Sequence, residues 1–166
     1  MQNTIFNSRT LYFMSFILIV ALLCLARYLQ VYDGMNPCPL CSLQRIMMAA
    51  LGVIFFFGAA LTLKKIGRIL IASFAFLIAL CGAFLSGRQV WLQHFPNTNA
   101  ADCGVSLHYL FQVLPFDQAI KKILTGGVEC SQVSWEFLQL SLAEWSLLFF
   151  ILFSFIGLFQ LMCAKI

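Results

Sequence analysis

An all-α membrane protein, a four-transmembrane-helix bundle with two outer loops, is the fold class this sequence predicts, and three observations predict it. Hydrophobic residues fill 62% of the 166 positions and charged residues 10%, against roughly 45–50% and 25% in soluble proteins. A soluble fold of this size has too few charges to cover so much apolar surface. Four charge-free apolar runs, at 11–26, 46–63, 69–87 and 145–164, each match or approach the ~20 helical residues that cross a hydrocarbon core. Barrel strands would read as short alternating segments, which these runs are not.

The same composition excludes other classes. The 18 Phe do not suit a disordered chain. A net charge of +4, with no basic cluster longer than three residues, does not suit nucleic-acid binding.

The chain reads as a single integral membrane domain, 1–166. The first run extends past Arg27 to Val31, which predicts a helix near 11–31. Arg9 gives it the flank of a signal peptide, but the run is too long for a signal core and lacks a small-x-small cleavage site before Arg27. Bulky Leu22 and Leu23 argue against lipoprotein-type cleavage before Cys24. It is expected to remain as a helix. The other spans are expected near 43–63, 67–87 and 144–164, leaving loops near 32–42 and 88–143. The long loop has turn signals at Pro96-Asn97, Pro115 and Gly126-Gly127. Near its end Ser134 is placed to cap a short surface helix, near 134–142, with Trp135, Leu138, Leu142 and Trp145 on one face. Glu144 with Trp145 reads as an interfacial anchor.

Four spans put both termini on one side. That side carries Arg9, Lys64, Lys65, Arg68 and Lys165 and no acid. The other carries Arg27, Arg45, Arg88, Lys121 and Lys122 with all six acids, Asp33, Asp102, Asp117, Glu129, Glu136 and Glu144. The basic counts are equal, so the positive-inside rule acts through density: the first set crowds into very short flanks. The termini are therefore expected in the cytoplasm and the loops in the periplasm of a bacterial inner membrane.

The seven cysteines segregate. Cys24, Cys81 and Cys163 fall in spans, where a thiol behaves as a small hydrophobe. Cys38, Cys41, Cys103 and Cys130 all fall in the outer loops, facing a compartment where disulfides persist. Four cysteines allow three pairings, and sequence alone does not choose among them. The spacing Cys38-Pro39-Leu40-Cys41 favours a local pair, and Cys103 with Cys130 would then close the long loop. A plain structural disulfide explains Cys103 and Cys130 adequately. It explains the C-x-x-C poorly, because so tight a ring removes little chain entropy. Cys41 stands at the start of the second span, where a helix N-terminus favours an anionic sulfur and supports exchange. A four-cysteine zinc site suits neither the oxidising compartment nor the wide second spacing.

Arg45 follows Cys41 by four residues and shares its helix face. An interfacial guanidinium can simply snorkel. Beside a thiolate it can also stabilise the anion and donate to a carbonyl ligand. No flavin or haem motif is present, and a lipid-dissolved quinone, ubiquinone or menaquinone, is the acceptor the C-x-x-C can reach. His94, just past the third span, is a weak candidate to touch the quinone head group, and His108 is an ordinary loop residue. Arg27 is an intramembrane charge that snorkelling accounts for.

These features resemble the DsbB family of quinone-reducing disulfide oxidases. The likeness covers nearly the whole chain: four helices, Cys-Pro-Leu-Cys, an Arg four residues later, two loop cysteines, Pro115-Phe116-Asp117, and Trp135-Glu136-Phe137-Leu138 after Cys130. The resemblance implies a relay through catalytic Cys38, Cys41, Cys103 and Cys130. A reduced periplasmic thioredoxin-fold oxidase, DsbA-like, attacks Cys103 of a Cys103–Cys130 disulfide; Cys130 engages Cys38; Cys41 is freed and donates to quinone, with Arg45 stabilising the charge. A paralogous oxidase serving a dedicated partner would share this chemistry. A vitamin K epoxide reductase-like enzyme would carry its C-x-x-C late in the bundle, where this chain has only Cys163. The rival from another class is a non-enzymatic membrane protein or adaptor whose loop disulfides only fasten its outer surface.

Overall fold

The computed structural model describes residues 2–32, 38–61, 64–95, 112–125 and 136–165. Its elements run α1 (Gln2–Tyr32), α2 (Pro39–Ala60), α3 (Lys65–His94), a short α4 (Phe116–Thr125), a hairpin of β1 (Glu136–Phe137) and β2 (Leu140–Ser141), and α5 (Leu142–Lys165). Four helices are long and apolar enough to cross a membrane: Ser8–Tyr32, Pro39–Ala60, Lys65–His94 and Leu142–Ala164. The four-helix membrane bundle expected from composition is the fold.

Helix boundaries differ from the apolar runs for local reasons. Nothing in 2–10 breaks a helix, and α1 begins well before the expected start at 11. Arg9 lies on that extension. Its Nε donates to Ala59 O at 3.1 Å and its Nη2 to Ala60 O at 3.4 Å, placing a cation on the last carbonyls of α2. Helix α2 starts at Pro39 rather than 43, because proline suits the first helical position and Cys38 supplies the cap. Helix α3 runs past Gly87 to His94, and its 30 residues span about 45 Å, more than a hydrocarbon core. Arg88 does not end it, since its Nε donates to Leu124 O at 2.9 Å at the close of α4.

Helices α3 and α5 share the largest interface; α1 packs on α2 and α2 on α3. One face of α3 presents the buried series Ala72, Ala75, Ala79, Gly82, Ser86 and Gln89. Small side chains let helices approach closely in lipid, where no hydrophobic effect drives them together. A Cβ on Gly82 would lie 2.2 Å from the Phe150 ring, and one on Gly157 would lie 3.0 Å from the Phe76 backbone nitrogen. The core between the helices holds Tyr12, Ile19, Leu51, Phe55, Phe150 and Phe153. Phe13, Phe74, Phe84 and Phe155 are exposed on the outside, where lipid covers them.

The short surface helix expected near 134–142 is not what residues 136–141 form. Glu136 pairs with Ser141 and Phe137 with Leu140, and both turn residues take positive φ, Leu138 at 54° and Gln139 at 63°. That is the handedness a two-residue hairpin needs, here without glycine and at roughly 1–2 kcal/mol per residue. The helix instead starts at Leu142 through a reciprocal cap. Glu144 Oε2 accepts from Ser141 N at 2.7 Å, and Ser141 Oγ accepts from Glu144 N at 3.3 Å. Glu144 is therefore a capping residue rather than a surface anchor. Ser134 and Trp135 lie outside the described residues. The long loop contains instead the amphipathic α4, whose Ala119 and Ile123 are buried.

Candidate redox site at the cysteine-bearing end of the bundle

Cys38 and Cys41 form the first turn of α2. Cys38 is the N-cap, with extended backbone, and its Sγ accepts from Cys41 N at 3.3 Å. This is the geometry a serine cap uses, with sulfur in place of oxygen. It brings the two sulfurs 2.9 Å apart. The positive end of the helix dipole therefore points at the dithiol. Cys38 is buried with Leu40, Leu92 and Ile123, so α4 and the end of α3 close over one sulfur. Cys41 is half-buried and turns the other way, into a cavity.

That cavity has a volume of about 270 Å³ and lies between α1, α2, the hairpin and the start of α5. Its walls are apolar, among them Leu22, Met48, Phe137, Trp145, Phe149 and Phe150, and its polar groups come from Cys41, Gln44, Arg45 and Ser146. An apolar space with a few convergent polar groups is what a small organic ligand requires. Phe137 is held in the wall by its own carbonyl, which accepts from Trp145 Nε1 at 3.1 Å.

Arg45 reaches across to the end of α1. Its Nη1 donates to Gln30 Oε1, and its Nη2 donates to Ala26 O at 3.3 Å. A guanidinium carries five N–H donors, so these bonds orient the fork and leave donors for a carbonyl ligand.

Behind Cys41 a buried polar chain links three helices. Gln89 Nε2 donates to Cys41 Sγ at 3.0 Å, and Gln44 Nε2 donates to Gln89 Oε1 at 2.7 Å. Ser146 Oγ lies 3.0 Å from Gln44 Oε1, 3.1 Å from Ser86 Oγ and 2.8 Å from Ala143 O. Gln44 and Gln89 are 7% and 5% exposed, so their hydrogen bonds are not replaced by water.

Of the residues singled out from sequence, Cys38, Cys41 and Arg45 come together here. His94 does not join them: it is exposed at the end of α3, its Nδ1 3.0 Å from Val90 O, and it is not among the cavity-lining residues. Cys103, Cys130 and His108 lie outside the described residues. Arg27 is exposed, as are Cys24 and Cys81, while Cys163 is half-buried at the far end of α5. Among the described residues no group of three or more His, Cys, Asp or Glu is placed to hold a metal ion. Sequence reasoning missed Gln30, Gln44, Gln89 and Ser146. Amides at the margins of apolar runs are costly there unless partnered, which was the available signal. Ser141-x-x-Glu144 was an overlooked capping pattern.

Comparison with known proteins shows which family the chain resembles. Residues 8–160 match the family model described as disulfide bond formation protein DsbB. Disulfide bond formation protein B of Hahella chejuensis is 38% identical over 153 residues, covering 92% of this chain and 93% of that protein. The protein of the same description from Stutzerimonas stutzeri is 37% identical over 156 residues, covering 94% and 96%. Disulfide bond formation protein B 1 of Pseudomonas aeruginosa is 39% identical over 145 residues, covering 87% and 89%. With a C-x-x-C dithiol folded into a helix start at one end of four membrane-crossing helices, and likeness over nearly its full length, this chain belongs to the DsbB family of membrane disulfide oxidoreductases.

Proposed function

We propose that the protein reoxidises a reduced thioredoxin-fold dithiol oxidase, DsbA-like, in the periplasm and passes the electrons to membrane quinone. The observation that carries this reading is that Cys41 and Arg45 line one apolar cavity within the bundle. In this reading the termini are cytoplasmic and the cysteine-bearing end is periplasmic, which the dense basic flanks at the other end support.

The exchange steps follow from thiolate chemistry. A partner thiolate attacks Cys103 of a Cys103–Cys130 disulfide, forming a mixed disulfide and releasing Cys130 as a thiolate. Cys130 attacks Cys38 of a Cys38–Cys41 disulfide, releasing Cys41. The partner's second thiol displaces Cys103 and leaves as a disulfide. Cys103 then reclaims Cys130, leaving Cys38 and Cys41 as a dithiol. Closing that dithiol gives up two electrons and two protons.

The cavity walls suit a quinone ring: flat apolar surfaces from Trp145, Phe149 and Phe137, with Arg45 donors for a ring carbonyl and Cys41 alongside. A quinone held there supplies a two-electron, two-proton acceptor. Arg45 orients and offsets negative charge, Gln30 holds Arg45, and the hairpin limits entry of water.

The test is turnover by the purified full chain with a short-chain ubiquinone and a reduced thioredoxin-fold partner. Quinone should be consumed mole for mole with partner dithiol, and Cys41→Ser should abolish this. Persisting turnover in Cys41→Ser, with only a lowered melting temperature, would leave the dithiol as a structural fastening.

A further inference from the structure

The amide of Gln89 occupies a place that the exchange steps leave unexplained. Among the described residues, two side-chain donors face Cys41 Sγ, the Cys38 thiol at 2.9 Å and Gln89 Nε2 at 3.0 Å. In the oxidase cycle, on which this inference rests, the Cys38 sulfur is bonded to another cysteine at the moment Cys41 is released. It then has no proton to offer. Among the described residues, Gln89 is the side-chain donor that remains.

An amide can turn either end toward a neighbour, and its direction is set by the rest of its network. Gln44 Nε2 lies 2.7 Å from Gln89 Oε1, so that oxygen is taken as acceptor and Nε2 is left toward the sulfur. Beyond Gln44 lies Ser146 Oγ, 3.0 Å from Gln44 Oε1 and 2.8 Å from Ala143 O. Among the described residues no buried side-chain nitrogen or oxygen lacks a partner. Within this network a single flipped Gln89 amide would set its Nε2 against Gln44 Nε2 and leave both buried nitrogens without an acceptor there.

We propose that Gln89 is a further catalytic residue, whose side-chain N–H holds the Cys41 sulfur anion while Cys38 is engaged elsewhere. Gln44 is a positioning residue, whose Nε2 on Gln89 Oε1 keeps the Gln89 amide turned donor-first. Anchored on α2, α3 and α5, the chain ties the charge on Cys41 to the packing of three helices.

The test is alkylation of Cys41 by iodoacetamide in the full chain, reduced, in lipid nanodiscs, read by peptide mass spectrometry. A Cys38→Ala background removes the competing thiol. In that background Gln89→Met should slow Cys41 alkylation about tenfold at pH 7, the worth of one hydrogen bond to a charged group. The difference should vanish at pH 10, where ionisation no longer limits the rate. Gln44→Leu should slow it about threefold with the same pH behaviour. An unchanged rate at pH 7 in Gln89→Met overturns the proposal, and so does an equal loss at both pH values, which would mean altered access. Should Gln89→Met fail to fold, Gln44→Leu decides by the same two criteria. The assay contains neither quinone nor partner, so its result stands apart from the Cys41→Ser turnover result.

Discussion

Cys38 caps the helix that carries its own redox partner: its Sγ accepts the backbone N–H of Cys41 at 3.3 Å and faces the Cys41 sulfur at 2.9 Å. One side chain thus starts α2 and serves the dithiol.

Because the capping and redox roles of Cys38 need different properties, two substitutions separate them. Cys38→Ala should lower stability by about 1 kcal/mol through the lost cap, and Cys38→Ser should restore it with a hydroxyl. Both should lack oxidase turnover. Thermal melts beside turnover assays check this; equal melting of the Ala and Ser variants would remove the capping role.

Arg45 is aimed by its bonds to Gln30 and Ala26. Arg45→Ala should raise the apparent KM for quinone at least tenfold, the loss of one charge-assisted hydrogen bond, and leave capture of the thioredoxin-fold partner unchanged. Gln30→Leu should move KM the same way by about threefold, since the fork survives without its guide. An unchanged quinone KM in Arg45→Ala would reduce the residue to a membrane anchor.

Trp145 Nε1 holds the Phe137 carbonyl at 3.1 Å, and Phe137 forms part of the cavity wall. Trp145→Phe keeps the ring and removes the donor. The expected result is a severalfold rise in quinone KM with kcat little changed, because one neutral hydrogen bond of about 1 kcal/mol is lost. A fall in kcat alone would place the hairpin's role elsewhere.

Gly82 is overlain by the Phe150 ring, 2.2 Å from where a Cβ would stand. Gly82→Ala should destabilise the bundle by about 1–3 kcal/mol, the usual cost of overpacking. Phe150→Leu should relieve much of that cost in the double variant. Additive losses in detergent melts would show that the ring is not the obstacle.

The four spans were legible because lipid imposes a simple rule: long apolar runs must be helices, with their backbone bonds satisfied internally. Helix ends were less legible. A run of hydropathy stops at Arg88, whereas α3 continues because that guanidinium finds the Leu124 carbonyl across the fold. The surface helix expected around Leu138 failed for a related reason. The spacing of Trp135, Leu138, Leu142 and Trp145 fits a helix face, but the cap formed by Ser141 and Glu144 starts the helix later and Leu138 turns the chain.

Residue types and spacing alone determined the membrane class, the nearness of Cys38 to Cys41 and the placing of Arg45 one helical turn beyond, because these depend on composition and on contacts within a few residues. Only tertiary structure decided that Arg45 reaches α1, that Gln89 meets the Cys41 sulfur from α3, and that α5 walls the cavity. Those contacts join residues separated by 19, 48 and about a hundred positions, and no local periodicity carries the register of one helix against another.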